Sequence, residues 1–130
     1  AYRFVMRRAS WHHLGDGWLD ATSLRFVDLY WNNIVQVADN MLHAGMERDA
    51  EMMLRKTMAE LPTSSIYDIE VQYRVVCLVS GLGLPESAEV TAAFRKRLRE
   101  ELDYYHAMSP MGQEIMRESI QQRERYQASL

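Results

Sequence analysis

Two adjacent histidines are the first side chains in the sequence that could do chemistry. His12 and His13 are followed by Asp16 and Asp20, and imidazole and carboxylate groups are ligands that zinc accepts. Adjacent side chains usually point apart, and nothing in this spacing fixes a tetrahedral set of four ligands. We therefore predict that both histidines face solvent, and a small helical enzyme or metal protein built on them is the alternative.

A carboxylate and a histidine farther along have the spacing of half a di-metal site. Asp103 and His106 are three residues apart, like the paired ligands on one helix of a carboxylate-bridged di-metal centre. Such a centre needs two motifs of this kind and two further carboxylates, and the sequence offers no second motif. We predict that Asp103 and His106 are surface residues.

The single cysteine, Cys77, lies in an apolar stretch with no cation beside it in sequence. We predict an inert, buried thiol, because a reactive cysteine needs a neighbour that stabilises the thiolate. One cysteine also excludes an intramolecular disulfide and a cysteine-based zinc site. The sequence contains no glycine-rich phosphate loop and no nucleophile elbow. We therefore predict that this chain is not an enzyme and has no catalytic residue, no metal and no cofactor.

The composition is that of an ordinary globular domain. The chain has 130 residues, of which 48% are hydrophobic and 25% charged, and its net charge is −3. This length suits one domain with its own core, and the acidic balance argues against nucleic acid as a partner. The longest apolar run, Val75 to Val79, is far shorter than the ~20 residues of a membrane span. Because the chain starts at Ala1, we expect an excised fragment or a processed chain.

Hydrophobic residues recur at three- and four-residue steps, which predicts an all-α fold of about five helices. The first helix begins near Asp20, after an irregular arm over residues 1–19, and Gly45 ends it. The second runs from about Met46 to Glu60, and Pro62 ends it.

The third predicted helix, from about Ile66 to Ser80, is apolar on nearly every side and should be covered by several neighbours. Ser65 is its expected cap, and a strand is the alternative because its β-branched residues would suit one. Pro85 suits the first turn of a fourth helix, and Ser109 followed by proline suits the start of a fifth. The inward stripe of the fourth helix is predicted to comprise Ala88, Thr91, Ala92, Arg95, Leu98, Leu102 and Tyr105.

Two segments in the later part of the sequence are polar. In the run RKRLREELD, basic residues are followed four positions later by acidic ones, and such i,i+4 pairs are typical of a solvated helix face. Apolar content fades after Ile120, so we expect the last ten residues to be exposed or frayed.

Two short segments, GMERDA from Gly45 and GLPESA from Gly83, share a glycine followed five residues later by an alanine. The residues around them follow the order of large, small, glycine and proline positions of the tetratricopeptide repeat. In that pattern the small residues mark where two helices of a hairpin touch, and the glycine turns the chain. The matching positions are Trp31, Val37, Ala38, Met41, Gly45, Ala50, Leu54 and Pro62 in the first unit, and Gly83 and Ala88 in a more degenerate second unit.

The chain therefore resembles tetratricopeptide-repeat proteins. The resemblance implies antiparallel helical hairpins stacked as a short right-handed array over residues 20–108. Residues 109–130 then form a capping helix with a frayed end. Two units are fewer than the three that usually make a stable array, so the arm and the last helix are expected to act as caps.

The segment from Trp18 to Leu84 also resembles a narrower group. It is similar to the carboxy-terminal soluble region of large bacterial multi-spanning membrane proteins related to protein O-mannosyltransferase-like glycosyltransferases. The matching positions are Asp20, Ala38, Met58, Pro62 and the pair Tyr67–Asp68. The resemblance implies a soluble domain tethered to the bacterial inner membrane on its periplasmic side, with the cytoplasm as the alternative. It transfers no catalytic residue, because the chemistry of such families belongs to the membrane part.

These observations predict a non-catalytic interaction or structural module. The tail of a membrane-bound glycosyltransferase-like protein is the main hypothesis, and a free-standing adaptor that binds a peptide or protein is the alternative. A binding groove is predicted along the first helix, where four amide side chains suit recognition of an extended peptide backbone: Asn32, Asn33, Gln36 and Asn40. A protein or peptide partner is expected, with a homodimer as a further option. Any exposed residues among the nine methionines would mark a contact surface.

Overall fold

A computed structural model describes residues 21–130 of the chain, with side chains from Arg25 onward. The predicted arm, both of its histidines, Asp16 and Asp20 lie outside the described residues. The described part is helical and contains no strand, so the predicted all-α class is confirmed for it and the strand alternative is wrong. Its elements are α1 (Ala21–His43), α2 (Glu47–Glu60), a 3₁₀ turn (Thr63–Ser65), α3 (Ile69–Gly81), α4 (Ser87–His106), α5 (Pro110–Ile115) and α6 (Arg117–Ser129).

The first two helices pack against each other through small residues. Ala38 of α1 and Ala50 of α2 are fully buried in one core cluster with Trp31 and Leu54. An alanine at each position lets the helices approach closely, and the larger side chains fill the space on either side. The indole N–H of Trp31 has no hydrogen-bond partner among residues 21–130.

The third helix is covered on several sides, as its apolar composition predicts. Val71, Val75 and Val79 face the core shared with α1 and α2. Ile69 and Val76 belong to a second cluster shared with α4. Because α3 contributes to both clusters, it joins the first helix pair to the second.

The two repeated glycines adopt the same local structure. Gly45 and Gly83 have φ values of 76° and 64°, the left-handed region in which glycine ends a helix at little cost. At the first turn, the Met46 N–H donates to the Met41 carbonyl at 2.8 Å, and the Gly45 N–H donates to Leu42. The second turn repeats this pattern with Leu84 on Val79 and Gly83 on Ser80. Both turns are therefore Schellman motifs.

The second helix pair differs from the predicted repeat at the position of its alanine. Ala88 is exposed, although its counterpart Ala50 is fully buried. The buried residues of α4 are Val90, Phe94, Leu98 and Leu102, so the predicted stripe containing Ala88, Ala92 and Arg95 is wrong in its first half. The reason is rotation: α4 turns the large side chains of Val90 and Phe94 toward α3. In the first unit, Val37 is 41% exposed and does not pack in the core.

The carboxyl end of the chain is helical to Ser129 and most of its last ten residues are exposed, so of the two predicted states, exposed or frayed, the structure shows the exposed one. α5 begins at Pro110, capped by the Ser109 side chain as predicted. Met116, at φ −95° and ψ 13°, interrupts the helix, so residues 21–130 contain six helices where five were predicted. Beyond it, α6 packs on α4, and the Tyr126 ring stacks on Tyr73 with centroids 4.0 Å apart.

Two predicted helix starts are shifted by local hydrogen bonding. Asp68, not Ser65, caps α3, because its carboxylate accepts from the N–H groups of Glu70 and Val71 while Ser65 ends the 3₁₀ turn. Pro85 lies in the turn two residues before α4 and not in its first turn.

Overpacking the contact between α1 and α2 tests their pairing. Ala38→Leu and Ala50→Leu should each lower the free energy of unfolding by about 1–3 kcal/mol, because neither site has room for extra methyl groups. Ala59→Leu, at an exposed position of α2, is the matched control and should stay within about 0.5 kcal/mol of the parent. Urea denaturation measures all three, and equal tolerance at the buried and exposed sites would show that the pairing is wrong.

The second Schellman turn predicts opposite outcomes for two nearby glycines. Gly83→Ala should cost about 1–2 kcal/mol of stability, because a Cβ is strained in the left-handed region. A Cβ there meets nothing within 4 Å, so crowding does not contribute. Gly81 has no positive φ and equal space, so Gly81→Ala should be neutral or stabilising by up to about 1 kcal/mol. A thermal melt of both variants checks the sign, and a stable Gly83→Ala variant would contradict the turn assignment.

Candidate functional site

An open cleft of about 320 Å³ lies between α1 and α3, the first helices of the two pairs. It is lined by Val35, Asp39, Tyr73, Arg74, Cys77 and Leu78. Val35 is buried and Leu78 half-buried, which gives the cleft an apolar floor. Asp39 and Arg74 are exposed and supply one charge of each sign. An apolar floor with a few polar groups is the usual make-up of a binding site.

The four predicted amide side chains divide between this cleft and the outer surface of α1. Asn32 is half-buried, and its Oδ1 accepts from the Arg74 guanidinium at 3.2 Å. Gln36, Asn40 and Asn33 are exposed, and successive helical positions carry them progressively away from α3. Asn32 therefore reaches the cleft through Arg74, whereas Gln36, Asn40 and Asn33 lie progressively farther round the helix.

Arg74 is the best placed side chain for recognition. It donates to Asn32 and to Glu70, at 2.7 Å from the Glu70 carboxylate, and remains about half exposed. A guanidinium has five N–H donors in a fixed fork. The N–H donors of Arg74 that do not contact Asn32 or Glu70 can bind a carbonyl or carboxylate presented in the cleft. The two existing contacts hold the fork in place before a ligand arrives.

Cys77 lies in the same cleft, and its thiol is exposed. The prediction of a buried thiol is therefore wrong. Its neighbours Val75, Val76 and Val79 are buried, but a helix turns by 100° per residue and places Cys77 about 100° beyond Val76, on the side of α3 that faces away from both core clusters.

A second depression, of about 340 Å³, lies where the segment between the helix pairs meets α4 and α6. The Asp28 carboxylate accepts from the backbone N–H groups of Tyr67 and Asp68, at 2.8 and 3.0 Å. From the other side, Arg97 donates to the carbonyls of Ile66 and Tyr67, at 2.8 and 2.5 Å. These charged groups already hydrogen-bond to the backbone of the protein itself, so we assign this depression a structural role and not ligand binding.

Glu101 completes this network by joining two arginines. Its oxygens accept from Arg97 at 2.6 Å and from Arg123 at 2.7 Å. Burial acts to raise the pKa of Glu101, but the hydrogen bonds from both guanidinium groups outweigh it and hold the pKa below its ordinary value. For Asp28 the balance is reversed: burial raises its pKa, and the two backbone donors only partly offset the shift.

A third depression, of about 520 Å³, is wide and polar and lies along α5 and α6. Its lining includes His106, Glu114 and Arg117, and the last two form an ion pair at 3.3 Å. Asp103 and His106 are both exposed, as predicted. No group of three or more His, Cys, Asp or Glu side chains with a metal-binding arrangement occurs within residues 21–130. Within the same residues, no helix has the length and hydropathy that crossing a bilayer requires.

Sequence reasoning missed the two charged residues that organise the molecule, Asp28 and Arg97. Arg97 lies in a run that is typical of a solvated face, and indeed Lys96 and Glu100 form an exposed pair at 3.9 Å. Arg97 and Glu101 instead lie at the edge of the buried face, next to Leu98 and Leu102. Their position beside these two leucines was the one feature of the sequence that indicated a partly buried pair.

Comparisons with protein-family models, curated proteins and solved structures find no match to this chain. The resemblances to tetratricopeptide repeats and to glycosyltransferase-like membrane proteins therefore stay predictions from the sequence.

The network around Glu101 predicts a pH-dependent stability. Its pKa is lowered in the folded state, so its contribution is present above the ordinary value of 4.5 and is lost as pH falls through the folded-state pKa. Glu101→Gln should cost about 1.5 kcal/mol near neutral pH, the low end of the range for hydrogen bonds to charged groups, because the side chain is 28% exposed. The difference from the parent should shrink below about pH 4.5.

Glu100→Gln is the matched control, since Glu100 is a neighbour on the same helix and its partner Lys96 is exposed. It should change stability by less than about 0.5 kcal/mol. Urea denaturation of the parent and both variants at neutral and acidic pH gives the result. Comparing each variant with the parent cancels the opposite contribution of Asp28, and a Glu101 difference that does not depend on pH would contradict the assignment.

Proposed function

We propose that this chain is a non-catalytic interaction module whose two helix pairs act as tetratricopeptide-like hairpins and bind an extended peptide of a partner protein. The binding site is the cleft between α1 and α3. The observation that supports this proposal is the cleft itself, in which an apolar floor adjoins Arg74, held ready by Asn32 and Glu70.

The chemistry of the cleft favours a peptide as the ligand. An extended peptide exposes backbone carbonyls and N–H groups at regular intervals, and amide side chains can pair with both. Asn32 offers such a group beside Arg74. Arg74 can bind a carbonyl or a carboxylate of the peptide. Val35 and Leu78 can receive an apolar side chain of the peptide between the polar contacts.

We further propose that the module is the soluble tail of a membrane-bound, glycosyltransferase-like protein at the bacterial inner membrane, on the periplasmic side. The support is the resemblance of the segment from Trp18 to Leu84. In this proposal the membrane part of the parent protein does the chemistry, and the cleft recruits the protein on which it acts or a protein that accompanies it.

A peptide-display selection against the full chain tests the binding proposal. Arg74→Ala and Asn32→Ala should each weaken a selected peptide at least about tenfold, the effect of truncating a well-placed interface residue. Arg125→Ala, which removes an exposed arginine of α6, is the control and should leave the affinity unchanged. Fluorescence titration measures all of them. A selection that yields no ligand, or a ligand that is indifferent to both cleft variants, would refute the proposal.

A further inference from the structure

The cleft between α1 and α3 has a direction, because the two helices that form it run the same way. Asp28, in the first half of α1, contacts the backbone just before α3. One turn later on α1, Asn32 accepts from Arg74 of α3. Farther along both helices, Asp39 and Leu78 line the cleft together. The contacts advance along α1 and α3 in step, so the cleft has one end at Arg74 and the other at Asp39.

The charged residues of the cleft lie at these opposite ends. Among the described residues that line it, Arg74 carries the positive charge and Asp39 the negative one, and both are exposed. Asp39 comes seven residues after Asn32, the α1 contact of Arg74. At 1.5 Å per residue this is about 10 Å along the helix. The apolar floor of Val35 and Leu78 belongs to the same cleft, so an apolar surface adjoins one positive and one negative end.

The Arg74 end is suited to an acidic group. The guanidinium uses one N–H for Asn32 and one for Glu70, which leaves three of its five donors. Glu70 is one turn earlier on α3 and is not among the residues that line the cleft. A carboxylate can pair with two parallel N–H groups of a guanidinium, and such charge-assisted bonds are stronger than those to a neutral carbonyl. A carboxylate is therefore the better ligand at this end.

The Asp39 end is suited to a cation. Its carboxylate can accept from an ammonium or a guanidinium group, and the His43 ring contacts the main-chain carbonyl of Asp39 and not this carboxylate. α1 ends at His43 and α3 at Gly81, so the carboxyl ends of both helices lie on this side of the cleft. The last carbonyls of a helix carry partial negative charge. This charge adds to that of Asp39.

We infer that the peptide bound in the cleft carries an acidic group and a basic side chain about 10 Å apart, with an apolar side chain between them. The inference rests on the proposed peptide-binding function and specifies the partner. The acidic group pairs with Arg74, the basic one with Asp39, and the apolar side chain packs on Val35 and Leu78. An extended chain advances about 3.3 Å per residue, so about two to four residues separate the charges. The acidic group is an aspartate or glutamate side chain, or the carboxyl terminus of the partner.

Synthetic peptides test this charge pattern by fluorescence titration of the full chain. In the probes, which are acetylated and amidated, glutamate and lysine flank a leucine at separations of about two to four residues. Matched peptides carry glutamine in place of either charge or of both. Each charge should strengthen binding about threefold to fivefold, and the two together about tenfold.

A further set of peptides identifies the source of the acidic group. In this set a free carboxyl terminus replaces the glutamate. Tighter binding of this set than of the glutamate set would assign the Arg74 end to the end of a partner chain, and weaker binding would assign it to an internal segment. Either result supports the charge pattern, provided that the charged peptides bind more tightly than their neutral counterparts.

Charge reversal locates each contact. Asp39→Lys should weaken the charged peptide at least about tenfold, and a peptide with glutamate in place of its lysine should restore binding. Arg74→Glu should be rescued in the same way by lysine in place of the peptide glutamate. Asp49→Lys on α2 and Arg125→Glu on α6, at exposed positions, make the same charge changes and should alter the affinity less than about twofold. Circular dichroism must show all four variants folded like the parent.

The outcomes distinguish this inference from the proposed function. A peptide that is weakened by Arg74→Ala and Asn32→Ala, yet gains nothing from either charge, would overturn the inference and leave the peptide-binding function standing. Equal effects of Asp39→Lys and Asp49→Lys would also overturn it, because binding would then follow net charge alone. A full chain that binds neither these peptides nor a display-selected one would refute both proposals.

Discussion

The arrangement of the helices depends on a clamp that two opposite charges place on the segment between the helix pairs. From Ile66 to Asp68, every backbone N–H and C=O has a hydrogen-bond partner. The Asp28 carboxylate of α1 takes two of the N–H groups, and the Arg97 guanidinium of α4 takes two of the carbonyls. An irregular segment would otherwise leave these groups unsatisfied, at about 1–3 kcal/mol for each one that is buried. The clamp thus converts a loop into a fixed joint.

A fixed joint is what makes the cleft a defined site. Both α1 and α3 contribute to its lining, so their separation decides whether Asn32 and Arg74 can meet. Arg97 also donates to the buried Gln72 at 2.5 Å, which ties the joint to α3 itself. Glu101 then connects Arg97 to Arg123 of α6. One chain of charged contacts therefore runs from the first helix to the last, and it positions the cleft without entering it.

The sequence predicts the local features of this fold and misses the distant ones. Gly45, Gly83 and the Ser109 cap act through neighbours within a few residues, so the local sequence is enough to predict them. The clamp joins residues thirty to forty positions apart, and only its register beside Leu98 and Leu102 distinguishes Arg97 from the solvated arginines near it. The packing of α6 was missed for the same reason, because its polar sequence does not show that Tyr126 stacks on Tyr73 of α3.

The residues of the candidate site are likewise only partly predictable from the sequence. Asn32 was among the amides predicted from residue type, because an uncharged polar face is visible in the sequence. Arg74 and the exposed thiol of Cys77 were not, since both depend on how α3 is rotated against α1. That rotation also separates the amides: Asn32 faces α3, whereas Asn33 and Asn40 lie on an exposed face of α1 with Leu29 and Val37. One helix therefore presents two surfaces of different chemistry. The face toward α3 is partly apolar and carries charges, and the face away from it is exposed and uncharged at these positions.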